Sequence, residues 1–325
     1  MRFLDFISTL DELTSNDLIK LNEFIELTVK DEPFIGEVCL PLVRGGKRLR
    51  PILFFLCAKS DKNYSFEKIM PLATAIELIH TASLVHDDIL DNSKMRRGEI
   101  TANAKYGSQI AVLAGDYLFA KAFQLVSEGS YGDKVSLILS KLVKNLCIGE
   151  ITQDRSLFTV PSMTEYYERI CLKTAIFLSS CCELGAIAAN LSEADTKSLA
   201  EYGLNLGLAF QIVDDLLDFF GDPSATGKSL GGDLKSGVIT LPVIRALSMS
   251  NESDTLLNIV TKANISDSEI TNAINIIKQS DSEYYCKMRA NAHIDSAMVN
   301  LPDSIDSSIK LVLLQIADFV INRTW

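Results

Sequence analysis

The chain has 325 residues, 47% of them hydrophobic and 22% charged, with 8 prolines and a formal net charge of −11 at pH 7. This composition excludes a disordered chain. The negative balance excludes broad nucleic-acid binding, which needs a basic face to displace counterions from phosphates.

A helical chain of this length can close around one large core, so a single domain over residues 1–325 is expected. Near the start, Asp5 interrupts the apolar run that a signal peptide would need, and no small-residue cleavage site follows, so export is not expected. Seven cysteines, two of them the adjacent Cys181 and Cys182, lack zinc-type paired spacing, and most read as reduced core thiols of a cytoplasmic protein.

Apolar residues recur at three- and four-residue steps, as in Leu72, Ile76, Ile79, Leu84 and again in Leu204, Leu208, Ile212, Leu216. That is the period of an amphipathic helix. No run alternates β-branched with polar residues, so no strand is expected and the fold class is all-α. Breaks are predicted where Gly, Pro, Asn, Asp and Ser gather, at 30–33, 60–65, 91–107, 127–133, 158–162, 221–237, 250–254 and 301–304. The most apolar stretch, 174–190, contains Glu183 and several small polar residues, so no transmembrane segment is expected and any membrane contact should be peripheral. The polar region after Asn251 reads as a loosely packed appendage to the core.

One short pattern occurs twice. Asp87-Asp88-Ile89-Leu90-Asp91 and Asp214-Asp215-Leu216-Leu217-Asp218 both read Asp-Asp-x-x-Asp, late in an apolar helical segment. Positions i and i+4 share a helix face, so Asp87 with Asp91, and Asp214 with Asp218, each present two carboxylates together. A single copy reads equally as a solvated acidic face or a cap. Two copies, preceded by the core-type pairs Leu84-Val85 and Ile212-Val213, point to hard-oxygen ligation of a divalent cation, with Mg2+ completing its shell from water and substrate phosphates. Cations gather in Gly45-Gly46-Lys47-Arg48-Leu49-Arg50-Pro51 and in Arg96-Arg97-Gly98, where arginine can bind phosphate oxygens in pairs. Arg48 also reads as an ordinary surface cation, and His80 as a satisfied core histidine.

With Leu113-Ala-Gly-Asp-Tyr-Leu118, Lys173-Thr174, Phe210-Gln211 and Gly231-Gly232-Asp233-Leu234 followed by Thr240-Leu241-Pro242, these motifs run in order along most of the chain. The chain thereby resembles the trans-polyprenyl diphosphate synthase family, nearest its medium- and long-chain heptaprenyl and octaprenyl types. The resemblance implies an all-α helical bundle with a central cavity and a prenyltransferase that condenses isopentenyl diphosphate with an allylic diphosphate, as in quinone side-chain synthesis. It implies that Asp87, Asp88 and Asp91, with Asp214, Asp215 and Asp218, hold Mg2+ around the allylic diphosphate, which Arg96, Lys173 and Lys228 contact. It further implies that Lys47, Arg50, His80 and Arg97 bind isopentenyl diphosphate, and that Thr174 and Gln211 line the reacting end. His86 reads as structural. Val238 departs from the pattern, because members often carry lysine there, and this weakens one diphosphate contact.

Short-chain relatives place a bulky aromatic four or five residues before the first aspartate, where this chain has Ser83 and Ala82. An open tunnel past Ile79 toward Ile76, about 16 Å from Asp87 along a helix, implies products of roughly thirty to forty carbons. A geranylgeranyl or farnesyl diphosphate synthase is the alternative. A class I terpene cyclase is disfavoured because its second metal motif differs. A homodimer is expected, and a heteromeric partner stays open.

Overall fold

The computed structural model describes residues 3–60, 64–129, 131–222 and 230–323, with side chains from Thr14 onward. In chain order the helices are α1 (Phe3–Val29), α2 (Pro33–Val43), α3 (Leu49–Ala58), α4 (Phe66–Leu90), α5 (Ala102–Tyr106), α6 (Ser108–Glu128), α7 (Asp133–Arg155) and α8 (Met163–Ile170). A π-helical turn (Cys171–Ala175) then leads into α9 (Ile176–Ala188) and α10 (Glu193–Phe220). The chain finishes with α11 (Gly232–Lys235), α12 (Leu241–Met249), α13 (Ser253–Val260), α14 (Asp267–Gln279), α15 (Ser282–Val299) and α16 (Ser307–Asn322).

Local chemistry sets several of these boundaries. Ser162 accepts from the Glu165 amide at 3.2 Å while Glu165 accepts from the Ser162 amide at 2.7 Å, and Ser266 with Glu269 repeats this reciprocal cap at α14. Proline opens α2 and α12, where its missing N–H costs nothing.

α4 is apolar on nearly every side and is correspondingly buried, from Ile69 through Ile79 and Ala82 to Val85. It packs along α6, while α10 packs between α9 and α15, and α3 lies on α9. The α9–α10 crossing is close because Gly203 and Gly207 face it. A Cβ on Gly207 would sit 2.5 Å from the Ala175 Cα, and one on Gly203 would sit 2.6 Å from the Leu178 carbonyl oxygen. These approaches bring the π-helical turn against α10.

The all-α expectation holds, with one addition. Met95–Arg96 and Glu99–Ile100 pair antiparallel as a minimal ribbon, β1 and β2, with Met95 opposite Ile100. No alternation announced it, because two residues are too few to carry a period, and the turn is set by Arg97 and Gly98, both at positive φ.

The region after Asn251 is not an appendage. Cys286, Ala290, Ile294, Ala297, Leu313 and Ile316 belong to the main apolar core, and α12 to α14 enclose a second cluster around Phe219, Val243, Leu256 and Ile277, joined to the first through Phe220 and Ile244. The expectation about apolar spans also needs correction. Phe66–Leu90, Ser108–Glu128 and Met163–Ala188 are each long and apolar enough to cross a membrane, the last because the π-helical turn joins α8 to α9 without a break. The first and third are mostly buried, with 72% and 61% of their most apolar windows covered, against 33% for the second.

Candidate active site

Both acidic motifs occupy the last turns of their helices, Asp87 to Asp91 ending α4 and Asp214 to Asp218 ending α10. Helix C-termini already carry partial negative charge, so six carboxylates there are doubly unfavourable without a cation. Burial pushes Asp87 up to about 6, with Glu150 and Asp91 adding repulsion and Lys173 opposing. Asp215 is likewise raised to about 6 by burial, although Gln211 and Tyr166 donate to it. Asp233, beside Asp215 and Asp218, is raised well above the usual carboxylate range, first by burial and then by those two neighbours.

The two helix ends meet on one cavity of about 210 Å³, lined by Asp91, Gln153, Arg169, Lys173, Gln211, Asp215, Asp233, Val238 and Thr240. On its wall a hydrogen-bond chain fixes Gln211: the Thr174 hydroxyl donates to its Oε1 at 2.7 Å, and its Nε2 donates to Asp215 Oδ1 at 2.8 Å. Tyr166 closes the chain by donating to Asp215 Oδ2 at 2.7 Å. Lys173 pairs with Glu150 at 2.7 Å, and Arg169 donates to the Ile239 carbonyl at 2.6 Å.

A second cavity, of about 420 Å³, gathers Lys47, Arg48, Arg50, His80, Arg97 and Arg323 with Glu77, Phe210 and Phe319. The loop before α3 is shaped by Gly45, Gly46 and Arg48, all at positive φ. At Gly46 a side chain is excluded for a second reason, since a Cβ would lie 2.6 Å from Arg97 Nη1. Arg50 stacks over Phe177 at 4.7 Å and donates to His80 Nε2 at 3.2 Å. Burial, then Arg50 and Arg97, hold His80 well below its usual pKa, so the ring is neutral and accepts from Arg50. Lys47 is lowered to about 8 by burial and then by Arg323.

Arg48 is not a surface cation. It is buried, forms an ion pair with Glu77, and donates to Asn22 Oδ1 at 3.0 Å and to the Val43 carbonyl at 2.6 Å. His86 leans on Phe119 and Gly115, with Nε2 3.3 Å from the Val112 carbonyl oxygen. Ala82 is fully buried, one turn before His86 on the face toward α6, whereas Ser83 shares the face of His80 and Asp87 and donates to the His80 carbonyl at 2.9 Å. Lys228 lies outside the described residues.

Four of the six motif aspartates are engaged by protein donors. Asp88 accepts from Arg96 Nε at 2.7 Å, Asp214 from Arg323 at 2.7 Å, Asp215 from Tyr166 and Gln211, and Asp218 from the Gly232 and Asp233 amides at 3.0 and 3.1 Å. Asp87 and Asp91 carry no such donor among the described residues. Their hard, anionic oxygens fit a divalent cation. Among the described residues no three His, Cys, Asp or Glu side chains converge closely enough to enclose an ion unaided.

Arg323, Tyr166, Arg169, Glu150 and Asp233 were not singled out from sequence. Asp233 lies inside the Gly231-Gly232-Asp233-Leu234 motif, and Tyr166 and Arg169 stand seven and four residues before Lys173, at helical spacing. Arg323, 113 residues from the Phe210 it touches, had no local signal.

Acidic helix ends on one cavity, beside a second cavity lined by cations, are features of an all-helical enzyme that handles phosphate esters. The polyprenyl synthetase family model matches residues 32–277. The chain is 37% identical over 289 residues to heptaprenyl diphosphate synthase component 2 of Geobacillus stearothermophilus, covering 87% of this chain and 88% of that one. It is 39% identical over 271 residues to a short chain isoprenyl diphosphate synthase of Methanocaldococcus jannaschii, covering 82% and 83%. A polyprenyl synthase from Caulobacter crescentus, solved with calcium and isoprenyl diphosphate, superposes with a TM-score of 0.89 at 31% identity over 98% of each chain. The chain belongs to the polyprenyl synthetase family and is a prenyltransferase of the polyprenyl diphosphate synthase type.

Proposed function

We propose that this synthase is Mg2+-dependent and extends a farnesyl or geranylgeranyl diphosphate with isopentenyl units, all-trans and head to tail. The observation that carries this reading is the pair of cavities: one where Asp91 of α4 meets Gln211 and Asp215 of α10, the other lined by Lys47, Arg50, His80 and Arg97. Two diphosphates need two sites of different character, one rich in carboxylates and one rich in cations. The calcium and isoprenyl diphosphate held by the Caulobacter relative support divalent-cation binding.

Asp87, Asp88 and Asp91 with Asp214, Asp215 and Asp218 would hold the cation. Bound Mg2+ would neutralise charge on the departing diphosphate. Lys173, braced by Glu150, and Arg96 meet the remaining phosphate charge, with Lys228 as a further contact. Arg50 and Arg97 bind the isopentenyl diphosphate together with Lys47, and the neutral His80 holds Arg50 in place. Gln211, with both ends of its amide fixed, and Thr174 turn oxygen dipoles toward the allylic carbon as it becomes cationic. The departing diphosphate takes the proton, so no side chain is assigned as base. Burial keeps out the water that would quench the cation.

Ser83, on the same face as Asp87, places no bulk one turn before that aspartate, which supports a path along α4 toward Ile79 and Ile76; Ala82, packed on the side of α6, would act on that path only through α6. The small side chain at Ser83 supports products of roughly C30–C40, which require the path to run well beyond Ile76, about 16 Å from Asp87 along the helix. The short-chain relative keeps a shorter product as the alternative reading. Val112, Leu113, Leu137, Ile148 and Ile151 are exposed on α6 and α7, which supports pairing into a homodimer through that face. The name "component 2" of one relative favours a second reading, an active subunit that needs a different partner. A cytoplasmic location, with peripheral membrane contact for product release, belongs to the same reading and is supported by the free thiols of all seven cysteines.

The test is incubation of the purified chain with farnesyl diphosphate, labelled isopentenyl diphosphate and Mg2+, followed by chromatography of dephosphorylated products. Ladders beyond twenty carbons support the open path. Products stopping at fifteen or twenty refute it, and no incorporation by the chain alone points to a partner subunit.

A further inference from the structure

One guanidinium reaches both ligand regions. Arg323, just beyond α16, is 7% exposed, pairs with Asp214 Oδ1 at 2.7 Å, donates to the Phe210 carbonyl and lies 3.8 Å from the centre of the Phe210 ring. It also lines the cavity that holds Lys47, Arg50 and His80, and it is near enough to Lys47 to add to the depression of that lysine. Its Nε is buried with no hydrogen-bond partner, so the fork has a donor to spare. A buried cation crowded by other cations stays there only while an anion compensates it, and in this structure Asp214 supplies that charge. A diphosphate entering the cavity offers more negative charge and a forked acceptor for the same guanidinium. Asp214 cannot serve fully both the guanidinium and a metal ion, because each draws on the same carboxylate charge.

We infer that Arg323 is a latch: it occupies Asp214 in the substrate-free chain and releases it toward the divalent cation when isopentenyl diphosphate fills the cation-lined cavity. This rests on the substrate and metal assignments proposed above. Its consequence is that isopentenyl diphosphate and the cation bind cooperatively, each tightening the other by the same factor, as linkage requires. A positioning role confined to packing would leave the two affinities independent.

The test is calorimetric titration of the full-length chain with Mg2+, with and without saturating isopentenyl diphosphate. The allylic partner is omitted so that nothing turns over, and a protein-free titration removes chelation by the diphosphate. For the natural chain, isopentenyl diphosphate should tighten Mg2+ binding about tenfold, within the usual range of coupling between sites. Arg323→Gln should bind Mg2+ more tightly than the natural chain when isopentenyl diphosphate is absent, and should lose most of the coupling. Arg323→Lys, which keeps the charge, should retain coupling in the same direction and serves if the glutamine variant does not fold. Equal Mg2+ affinity with and without isopentenyl diphosphate in the natural chain overturns the latch, as does undiminished coupling in Arg323→Gln. A natural chain that binds neither ligand overturns the underlying site assignment along with the latch, whereas one that binds isopentenyl diphosphate but no Mg2+, or binds both independently, overturns the latch alone.

Discussion

Arg48 stands between Lys47 and Arg50, and replacing it separates scaffold from ligand binding within one short run of cations. Its guanidinium and the Glu77 carboxylate have side chains only 7% and 3% exposed, and Arg48 also ties the loop to Asn22 and to the Val43 carbonyl. Arg48→Met removes the cation but leaves Glu77 buried, with one oxygen that already lacks a hydrogen-bond partner. Stranding one member of a buried pair costs about 3–5 kcal/mol. At roughly 2.1 cal/mol/K of unfolding entropy per residue, that loss lowers the melting temperature of a chain this long by about 4–7 °C. Arg48→Met combined with Glu77→Met should recover most of the loss, because no uncompensated charge remains. Urea and thermal denaturation of the two single variants and the double variant measure this, alongside the KM for isopentenyl diphosphate. If Arg48→Met melts like the natural chain while that KM rises more than tenfold, the guanidinium faces substrate and the scaffold assignment is wrong.

Three further outcomes are expected. Ser83→Phe should shorten the products to about twenty carbons or fewer with a stability cost of no more than about 1–3 kcal/mol for the added bulk, read by chromatography of the dephosphorylated products; an unchanged ladder would rule out the path along this face of α4. Val238→Lys adds a cation to the cavity of Asp91, Asp215 and Asp233, so the KM for the allylic diphosphate should fall several-fold, about 1 kcal/mol, and a folded variant with an unchanged KM would show that the cavity does not hold that diphosphate. The third concerns pH. Asp87 and Asp215 are raised from 3.8 to about 6, so the folded chain retains protons that the unfolded chain releases. The stability they contribute is fully present below about 3.8 and is lost as pH rises through about 6. In metal-free buffer Asp87→Asn should therefore gain stability over the natural chain between about pH 4 and 6.5, and stabilisation of the natural chain by Mg2+ should grow over the same interval; melting curves in which the difference between the two chains stays constant would contradict this.

The helical class and the chemistry of the acidic ends are legible in the residue pattern alone. A three-to-four-residue apolar period can be satisfied only by helices that bury one face, and paired aspartates one turn apart necessarily share a face. Gly45-Gly46 and the cations after it announced an anion-binding loop because glycine and clustered positive charge act locally. What the tertiary structure decided were partnerships between distant elements. Arg48 had the same local context as Lys47 and Arg50, and only packing against Glu77 of α4 and Asn22 of α1 turns it inward. Ala82 and Ser83, adjacent in sequence, diverge because α6 covers one side of α4 and the site lies on the other. The C-terminal helices looked peripheral by their polarity, yet α15 packs on α10, and the residue after α16 ends on Asp214, because α10 buries apolar surface on several sides and needs cover there. Local pattern specifies what a residue can do, and burial against a distant element selects which of those things it does.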